Sequence, residues 1–245
     1  MEAFKAIDIT YAHGPRQIFK KANFVVPRQS ITGLLGANGA GKTTLFDLIC
    51  GLYKLDIGNF ENPFKSLLYL SQTVTVSPSL KMCDIFHMIS ALTPQYIRTL
   101  DNILENLTDW SPGISNRYTD VWNKKAAICS YGEKRWFFTL SLLSLGAELY
   151  ILDEPTAGVD PEFRFHIWKC LHGAVEKGST VLVSSNHVEE IVSNCNDFYM
   201  IGNLKFTQFD SAQNYVTHYN ASSLDEAFIN SSMASFYSDP FRNEL

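Results

Sequence analysis

The stretch Gly36-Ala37-Asn38-Gly39-Ala40-Gly41-Lys42-Thr43-Thr44 decides how the rest of the chain is interpreted. It matches the phosphate-binding pattern G-x-x-x-x-G-K-[ST] at all four fixed positions. Glycines let the backbone curl so that successive N–H groups point inward and form an anion-binding concavity. We expect the Lys42 ammonium to reach the outer phosphates and the Thr43 hydroxyl to ligate Mg²⁺. The stretch therefore predicts a site for a nucleoside triphosphate.

The residues on either side of this loop support that interpretation. Ile31–Leu35 is an apolar run typical of a buried strand, and Thr44–Cys50 has the apolar spacing of a helix. A helix that begins at the loop adds its N-terminal partial positive charge to phosphate binding. A glycine-rich turn that matches by chance is the alternative, and the strand–loop–helix order disfavours it.

Composition limits the class of protein. The 245 residues are 46% hydrophobic and 18% charged, which is typical of a globular protein with one large or two modest domains. No apolar run approaches the roughly 18–20 residues that span a bilayer, and no signal peptide is apparent. We therefore expect a cytoplasmic chain. The net charge of -5 argues against a nucleic-acid partner, and the five scattered cysteines show no zinc-site spacing.

Two strands are predicted ahead of the phosphate loop. Phe4–Tyr11 alternates apolar and polar residues, and a second strand-like run ends at Pro27. With a turn at Gly14-Pro15 between them, they predict a small antiparallel sheet. Tyr11 is either an aromatic ring that stacks on a nucleotide base or an ordinary packing residue.

Polar residues follow three further predicted strands, where ligands bind in α/β sheets. The predicted strand Ser66–Leu70 is followed by Ser71 and Gln72. Gln72 is a candidate contact for the metal or the attacking water, or an ordinary loop residue. Thr180–Ser184 leads to His187, a candidate contact for a terminal phosphate, although a single histidine is more often structural. We expect these positions to lie at the same edge of the sheet.

The remaining strand of the three, Leu149–Leu152, is followed by two carboxylates. Leu149–Leu152 is an apolar run followed by Asp153, Glu154 and a proline. Asp153 can hold Mg²⁺ together with Thr43, and Glu154 can polarise a water molecule for attack on the terminal phosphate. The alternative is a plain Asp-Glu-Pro turn.

The fold class predicted is α/β, with a mostly parallel sheet, an N-terminal antiparallel β subdomain and an inserted α-helical subdomain. Helical spacing recurs in Leu80–Leu92, Pro94–Leu107 and Trp136–Leu145. We predict one domain: residues 1–76 and 147–215 form an α/β nucleotide-binding core, 77–146 form the helical subdomain, and 216–245 form a polar tail.

Taken together, these motifs resemble the ATP-binding cassette (ABC) ATPase family over nearly the whole chain. The resemblance implies an ATPase that uses ATP and Mg²⁺. It also implies a role for each matching position. Tyr11 stacks on adenine, and Gln72 lies in the loop that senses the transmembrane partner. Asp153 is the metal-site acid, Glu154 is the general base, Asp160 lies in the loop that crosses the dimer interface, and His187 contacts the γ-phosphate.

The family's Leu-Ser-Gly-Gly-Gln signature has a divergent counterpart here, Cys129-Ser130-Tyr131-Gly132-Glu133. Ser130 and Gly132 are retained, so the serine and one glycine N–H are still expected to reach a γ-phosphate. Tyr131 stands where the family has glycine. A side chain at that position is expected to crowd the phosphate or alter the loop backbone.

The resemblance also implies partners. In this family the signature of one subunit completes the ATP site of the other, so we expect a homodimer or a heterodimer of ATPase subunits. A separate transmembrane permease subunit would place the chain at the cytoplasmic face of the membrane. Ser223–Phe228 resembles an ending found in many exporter ATPases. The alternatives are a soluble ABC protein of translation or DNA repair, and an ATP-binding switch with weak hydrolysis because of Tyr131.

Overall fold

The structure is a computed structural model that describes residues 3–92 and 99–237. The chain divides into two compact units. The first unit contains residues 1–65 and 182–245, and the second contains residues 66–181. In chain order the elements are β1 (Ala3–His13), β2 (Arg16–Pro27), β3 (Ile31–Leu35), α1 (Lys42–Ile49), β4 (Ile57–Glu61), β5 (Leu67–Leu70), α2 (Met82–Ala91), α3 (Leu100–Trp110), α4 (Ile114–Asn123), α5 (Tyr131–Ser144), β6 (Leu149–Asp153), α6 (Pro161–Glu176), β7 (Thr180–Ser184), α7 (Val188–Asn194), β8 (Asp197–Gly202), β9 (Lys205–Phe209), α8 (Ala212–His218) and α9 (Leu224–Tyr237).

The first unit contains the predicted antiparallel sheet. Strand β1 pairs antiparallel with β2 and also with β4. The sequence did not predict β4, because Ile57–Glu61 is short and mostly exposed and lacks apolar alternation. Gly58 allows β4 to approach β1, since a Cβ there would lie 2.5 Å from the Ile7 carbonyl oxygen.

The phosphate loop of the first unit follows a fully buried strand. All five residues of β3 are buried, and β3 pairs parallel with β8. Strands β8 and β9 form an antiparallel hairpin. Its turn lies at Asn203 and Leu204, both of which have a positive φ.

The second unit places two strand ends side by side. Strands β5 and β6 pair parallel, with Leu67 opposite Leu149 and Leu70 opposite Leu152. The residues that follow Leu70 and Leu152 therefore leave the sheet at the same edge. This register is what brings Gln72 and Glu154 together.

Helices fill most of the described part of residues 78–146, as predicted. The expected helix Pro94–Leu107 is observed from Leu100, and residues 94–98 lie outside the described residues. Helix α4 was not predicted, and α5 begins at Tyr131 rather than at Trp136. Aromatic stacking joins two of these helices: the ring centroids of Tyr118 on α4 and Phe137 on α5 are 4.9 Å apart. The predicted boundaries of the helical subdomain, 77–146, stay a prediction.

The last two described helices, α8 and α9, belong to the first unit, and the predicted polar tail over 216–245 stays a prediction. Tyr215 of α8 is fully buried, with its ring against Phe198 and Phe209 of the hairpin. Helix α9 contains most of the Ser223–Phe228 segment that resembles the ending of exporter ATPases. Within residues 3–92 and 99–237, none of the helices has the length and hydropathy that a membrane span requires.

Candidate active site

The phosphate loop has the backbone geometry that its glycines predict. The amide of Ala40 donates to the carbonyl of Ala37 over 3.0 Å, which closes a tight turn. Gly39 and Gly41 have φ values of 79° and 110°, a region that favours glycine. At Gly41 a Cβ would also lie 2.7 Å from the Ile18 side chain. The loop then enters α1, so its first-turn N–H groups are available to an anion.

Lys42 is held across the loop by a residue that the sequence did not single out. The buried Nζ donates to the Gly36 carbonyl over 2.8 Å and to Asn186 Oδ1 over 2.7 Å. The Asn186 amide donates in turn to Asn38 Oδ1 over 3.1 Å. Asn186 immediately precedes the predicted His187, so its position after β7 was the available signal.

Thr43, Thr44 and His187 lie in the same unit as this loop. The two threonines occupy the first turn of α1 and are half-buried. His187 is exposed and is the N-cap residue of α7, and its backbone N–H donates to Ser185 Oγ over 3.0 Å. Its imidazole is thus accessible, as a phosphate contact requires.

Tyr11 is more buried than we expect of a residue whose ring stacks on a bound base. Its side chain is 7% exposed, and its ring centroid lies 6.2 Å from that of Tyr53, which is 45% exposed. Burial first, and then the neighbouring Tyr53, Asp56 and Asp47, raise the pKa of the Tyr11 phenol. The assignment of Tyr11 to adenine stacking stays a prediction, and Tyr53 presents the more exposed ring of the pair.

In the second unit, Gln72 and Glu154 are in contact. The Gln72 side-chain amide donates to Glu154 Oε2 over 3.3 Å. Asp153 is buried at the end of β6, and Glu154 is 8% exposed with a φ of 52°. A positive φ is uncommon for a residue with a side chain and is a feature of strained functional positions.

Arg135 lies beneath this pair, and no role was predicted for it. Its side chain donates to the backbone carbonyl oxygens of Ser71, Gln72, Asp153 and Glu154. Burial lowers the pKa of the guanidinium, which the charges of Tyr131, Asp153 and Glu154 partly offset. A charged residue inside the apolar spacing of α5 was the signal that could have identified it.

The signature residues form the N-terminus of α5. Ser130 is the N-cap residue: its Oγ accepts from the Glu133 amide over 3.0 Å, and its own amide donates to Glu133 Oε2 over 2.8 Å. Burial raises the pKa of Glu133, but hydrogen bonds from Lys124 and Ser130 outweigh it and lower the pKa overall. In the cap the Ser130 hydroxyl oxygen is the acceptor, and the O–H that a serine also carries is the group that would donate to a phosphate.

Gly132 and Tyr131 both pack on the loop that precedes α6. A Cβ at Gly132 would lie 2.5 Å from the Gly158 carbonyl oxygen, so that position requires glycine. Tyr131 is 55% exposed; its ring faces Gly158, and its hydroxyl donates to the Gln72 carbonyl over 3.5 Å. Asp160 caps α6 by accepting from the Phe163 amide over 3.0 Å.

The donor chemistry of three residues fits Mg²⁺, which prefers hard oxygen ligands. Thr43 offers a hydroxyl, Asp153 a carboxylate and Gln72 an amide oxygen. The Gln72 nitrogen is the atom that bonds to Glu154, so its oxygen is the atom left to face a cation. A metal held by such residues would neutralise phosphate charge, and each of the three positions remains a prediction.

The cap of α5 allows a paired test of Ser130. We expect Ser130→Ala to lower the free energy of unfolding by about 1 kcal/mol and the rate of ATP hydrolysis by about tenfold, because a donor to phosphate is lost as well. Ser211→Ala is the matched control, since Ser211 caps α8 in the same way, accepting from the Asn214 amide over 3.3 Å. Thermal unfolding and phosphate release are measured for both. Equal hydrolysis by the two variants would refute a role for Ser130 beyond capping.

Comparison with known proteins identifies the family. The family model described as ABC transporter matches residues 19–157. The protein McbF of Escherichia coli is 27% identical over 226 residues, which cover 88% of this chain and 88% of McbF. The Nod factor export ATP-binding protein I of Rhizobium etli is 24% identical over 206 residues, covering 80% of this chain and 64% of that protein.

Solved structures show the same fold. The structure of an ATP-binding subunit of an ABC transporter superimposes with a TM-score of 0.77 at 21% identity, covering 93% of this chain and 98% of that one. The predicted α/β fold, with its mostly parallel strands and N-terminal antiparallel sheet, is confirmed by this likeness.

Proposed function

Because the chain belongs to the ABC transporter family of ATP-hydrolysing proteins, we propose that it drives export through a separate transmembrane permease. It acts as a dimer of ATPase subunits on the cytoplasmic face of the membrane. Each dimer holds two ATP molecules, and each site takes its signature residues from the other subunit.

The observation that carries the proposal is the contact between Gln72 and Glu154. The family resemblance makes Gln72 the residue that senses the permease and Glu154 the general base. A direct hydrogen bond of 3.3 Å between their side chains links the state of the permease to the group that activates water. Coupling between transport and hydrolysis needs such a link.

The roles of the residues follow from their chemistry. Lys42 and the loop amides bind the phosphates, and His187 and Ser130 donate to the terminal phosphate. Glu154 accepts a proton from the attacking water. Mg²⁺, held by Thr43, Asp153 and Gln72, supplies charge neutralisation when bound. Most of the rate enhancement then comes from positioned charges and donors, since the loose transition state needs little covalent assistance.

Export is the direction that the similarities favour. One relative is by name an export ATP-binding protein, and Ser223–Phe228 resembles the ending of exporter ATPases. In the structure Ser223 precedes α9, and Ala227 is buried in the first unit. This segment is therefore part of the packed ATPase rather than a loose extension.

The test uses the whole chain with and without a permease. The chain is expressed with a multi-span protein encoded beside it, the two are purified together, and phosphate release and substrate accumulation in inverted vesicles are measured. The proposal expects co-purification and ATP-dependent uptake. Hydrolysis by a chain that co-purifies with no multi-span protein, at a rate that such a protein does not change, would favour a soluble ABC protein. ATP binding with almost no hydrolysis would favour a switch, for which Tyr131 in the signature is the supporting observation.

Removal of the metal is a further prediction. We expect excess EDTA to reduce hydrolysis to background and added Mg²⁺ to restore it, because developing phosphate charge is then left uncompensated. Ca²⁺ at the same concentration is the control, since its larger, more flexible coordination fits an octahedral Mg²⁺ site poorly. Hydrolysis that persists in EDTA would refute the metal assignment.

A further inference from the structure

We propose that Arg135 is a positioning residue for hydrolysis, which fixes the loops of Gln72 and Glu154 to each other and to the signature helix. The inference rests on the proposed function, because it assumes that Glu154 acts on water. It adds to that function a residue outside the phosphate loop, the metal site and the signature motif.

The hydrogen bonds of Arg135 join two loops. Nη1 donates to Ser71 over 2.5 Å and to Gln72 over 3.2 Å, both in the loop after β5. Nη2 donates to Asp153 and Nε donates to Glu154 over 3.2 Å, both at the end of β6. All four acceptors are backbone carbonyl oxygens, so the contacts set the path of the two loops.

Only arginine can serve both loops from one side chain. Its planar guanidinium carries five N–H donors in a fixed fork, whereas lysine carries three donors on a single atom. At 3% exposure, the charge is withdrawn from water. Burying a charge is unfavourable compared with burying an apolar side chain of similar volume. Packing of α5 alone therefore does not explain a cation at this position.

The backbone conformation of Glu154 explains what the Arg135 guanidinium contributes to the site. Its φ of 52° is unfavourable for a residue with a side chain, and such a conformation persists only where neighbours hold it. The Glu154 carbonyl accepts from the Ala157 amide over 3.1 Å and from Arg135 Nε. Arg135 is thus part of what keeps the Glu154 carboxylate directed at Gln72.

The same side chain connects the signature to the base. Arg135 lies on α5, five residues after Ser130 and three after Gly132, which is packed on Gly158. A shift of α5 would move the guanidinium and with it both loops. When the signature engages ATP of the other subunit, this connection transmits the event to Gln72 and Glu154.

The test compares Arg135→Gln and Arg135→Lys with the unsubstituted chain. We expect Arg135→Gln to lower kcat by about 10- to 100-fold, because small displacements of reacting groups have effects of this size. The Kd for ATP should change little, because Arg135 donates to backbone carbonyl oxygens of the Gln72 and Glu154 loops, whereas Lys42 and the loop amides bind the phosphates. Arg135→Lys should fall between the two. Arg117→Gln, at an exposed arginine of α4, is the matched control and should hydrolyse normally.

Two further measurements separate positioning from simple loss of folding. Thermal unfolding shows whether each variant is folded, and Arg135→Lys remains informative if Arg135→Gln is not. Hydrogen exchange of the Ala157 amide, which donates to Glu154, should be faster in both Arg135 variants than in the unsubstituted chain. This readout holds whether or not the chain hydrolyses ATP.

The outcomes distinguish this inference from the proposed function. If the unsubstituted chain hydrolyses ATP and folded Arg135→Gln matches its kcat, the inference is overturned and the proposed function stands. If the unsubstituted chain does not hydrolyse ATP, the proposed function fails, and the Ala157 exchange rate decides whether Arg135 holds the loop. Unchanged exchange overturns the inference in either case.

Discussion

Replacing Glu154 with glutamine is expected to reduce ATP hydrolysis by about a thousandfold, the middle of the range for loss of a general base. The change removes a proton acceptor and preserves side-chain size. The substituted amide keeps an oxygen that can accept from Gln72, as Glu154 Oε2 does now over 3.3 Å. The loops should therefore keep their arrangement, and ATP binding should survive. Single-turnover phosphate release and ATP binding are the measurements.

The resemblance to ABC ATPases adds a second expectation for this variant. Because hydrolysis is what reopens the dimer in that family, Glu154→Gln should accumulate as an ATP-bound dimer in size-exclusion chromatography. Glu176→Gln is the control: it is the same substitution at an exposed site at the far end of α6 from Asp160. Hydrolysis by Glu154→Gln at the unsubstituted rate would rule out Glu154 as the base.

Local patterns were sufficient to predict the parts of the site that follow strands. Gly36, Gln72, Glu154 and His187 each come directly after or near a short apolar run, and each run is a strand. The parallel register of β5 and β6 then makes the contact between Gln72 and Glu154 a consequence of the sheet. Such contacts are predictable because strand ends are ordered by the fold.

The contacts of Arg135 and Asn186 were not predictable in the same way. Both side chains form hydrogen bonds with residues that are distant in sequence. Arg135 bonds to Ser71, 64 positions away, and Asn186 bonds to Lys42, 144 positions away. The spacing of apolar residues around a position does not indicate such a distant partner. Strand β4 was missed for a related reason: it is defined by its pairing with β1 rather than by its own residues.

The structure also refines the hypothesis about Tyr131. The sequence indicated that its side chain would crowd a phosphate or alter the loop backbone; in the structure the ring faces Gly158 and the hydroxyl reaches the Gln72 carbonyl of the same chain. Tyr131 thus occupies the space beside the signature that a glycine would leave open. Its effect on hydrolysis is therefore expected to act through the loops at Gln72 and Gly158 as well as through the phosphate.

Loss of the Lys42 ammonium is the other change with a large expected effect. We expect Lys42→Ala to weaken ATP binding by about 30- to 100-fold, the equivalent of about 2–3 kcal/mol for one charge-assisted contact with phosphate. Hydrolysis should fall to background, since the remaining loop amides position the terminal phosphate poorly. Calorimetric titration with ATP and a phosphate-release assay measure the two effects.

The structure offers a matched control for Lys42→Ala and shows which hydrogen bonds of the phosphate loop remain in that variant. Lys205→Ala removes an exposed lysine of β9 in the same unit and should bind ATP normally. In Lys42→Ala the Asn186 amide loses the donor that now lies 2.7 Å away, but it keeps its bond to Asn38. The loop should therefore stay closed by Asn186 and by the Ala40–Ala37 turn. Normal ATP affinity in a folded Lys42→Ala variant would mean that the loop amides alone bind the phosphates, and the role assigned to Lys42 would be wrong.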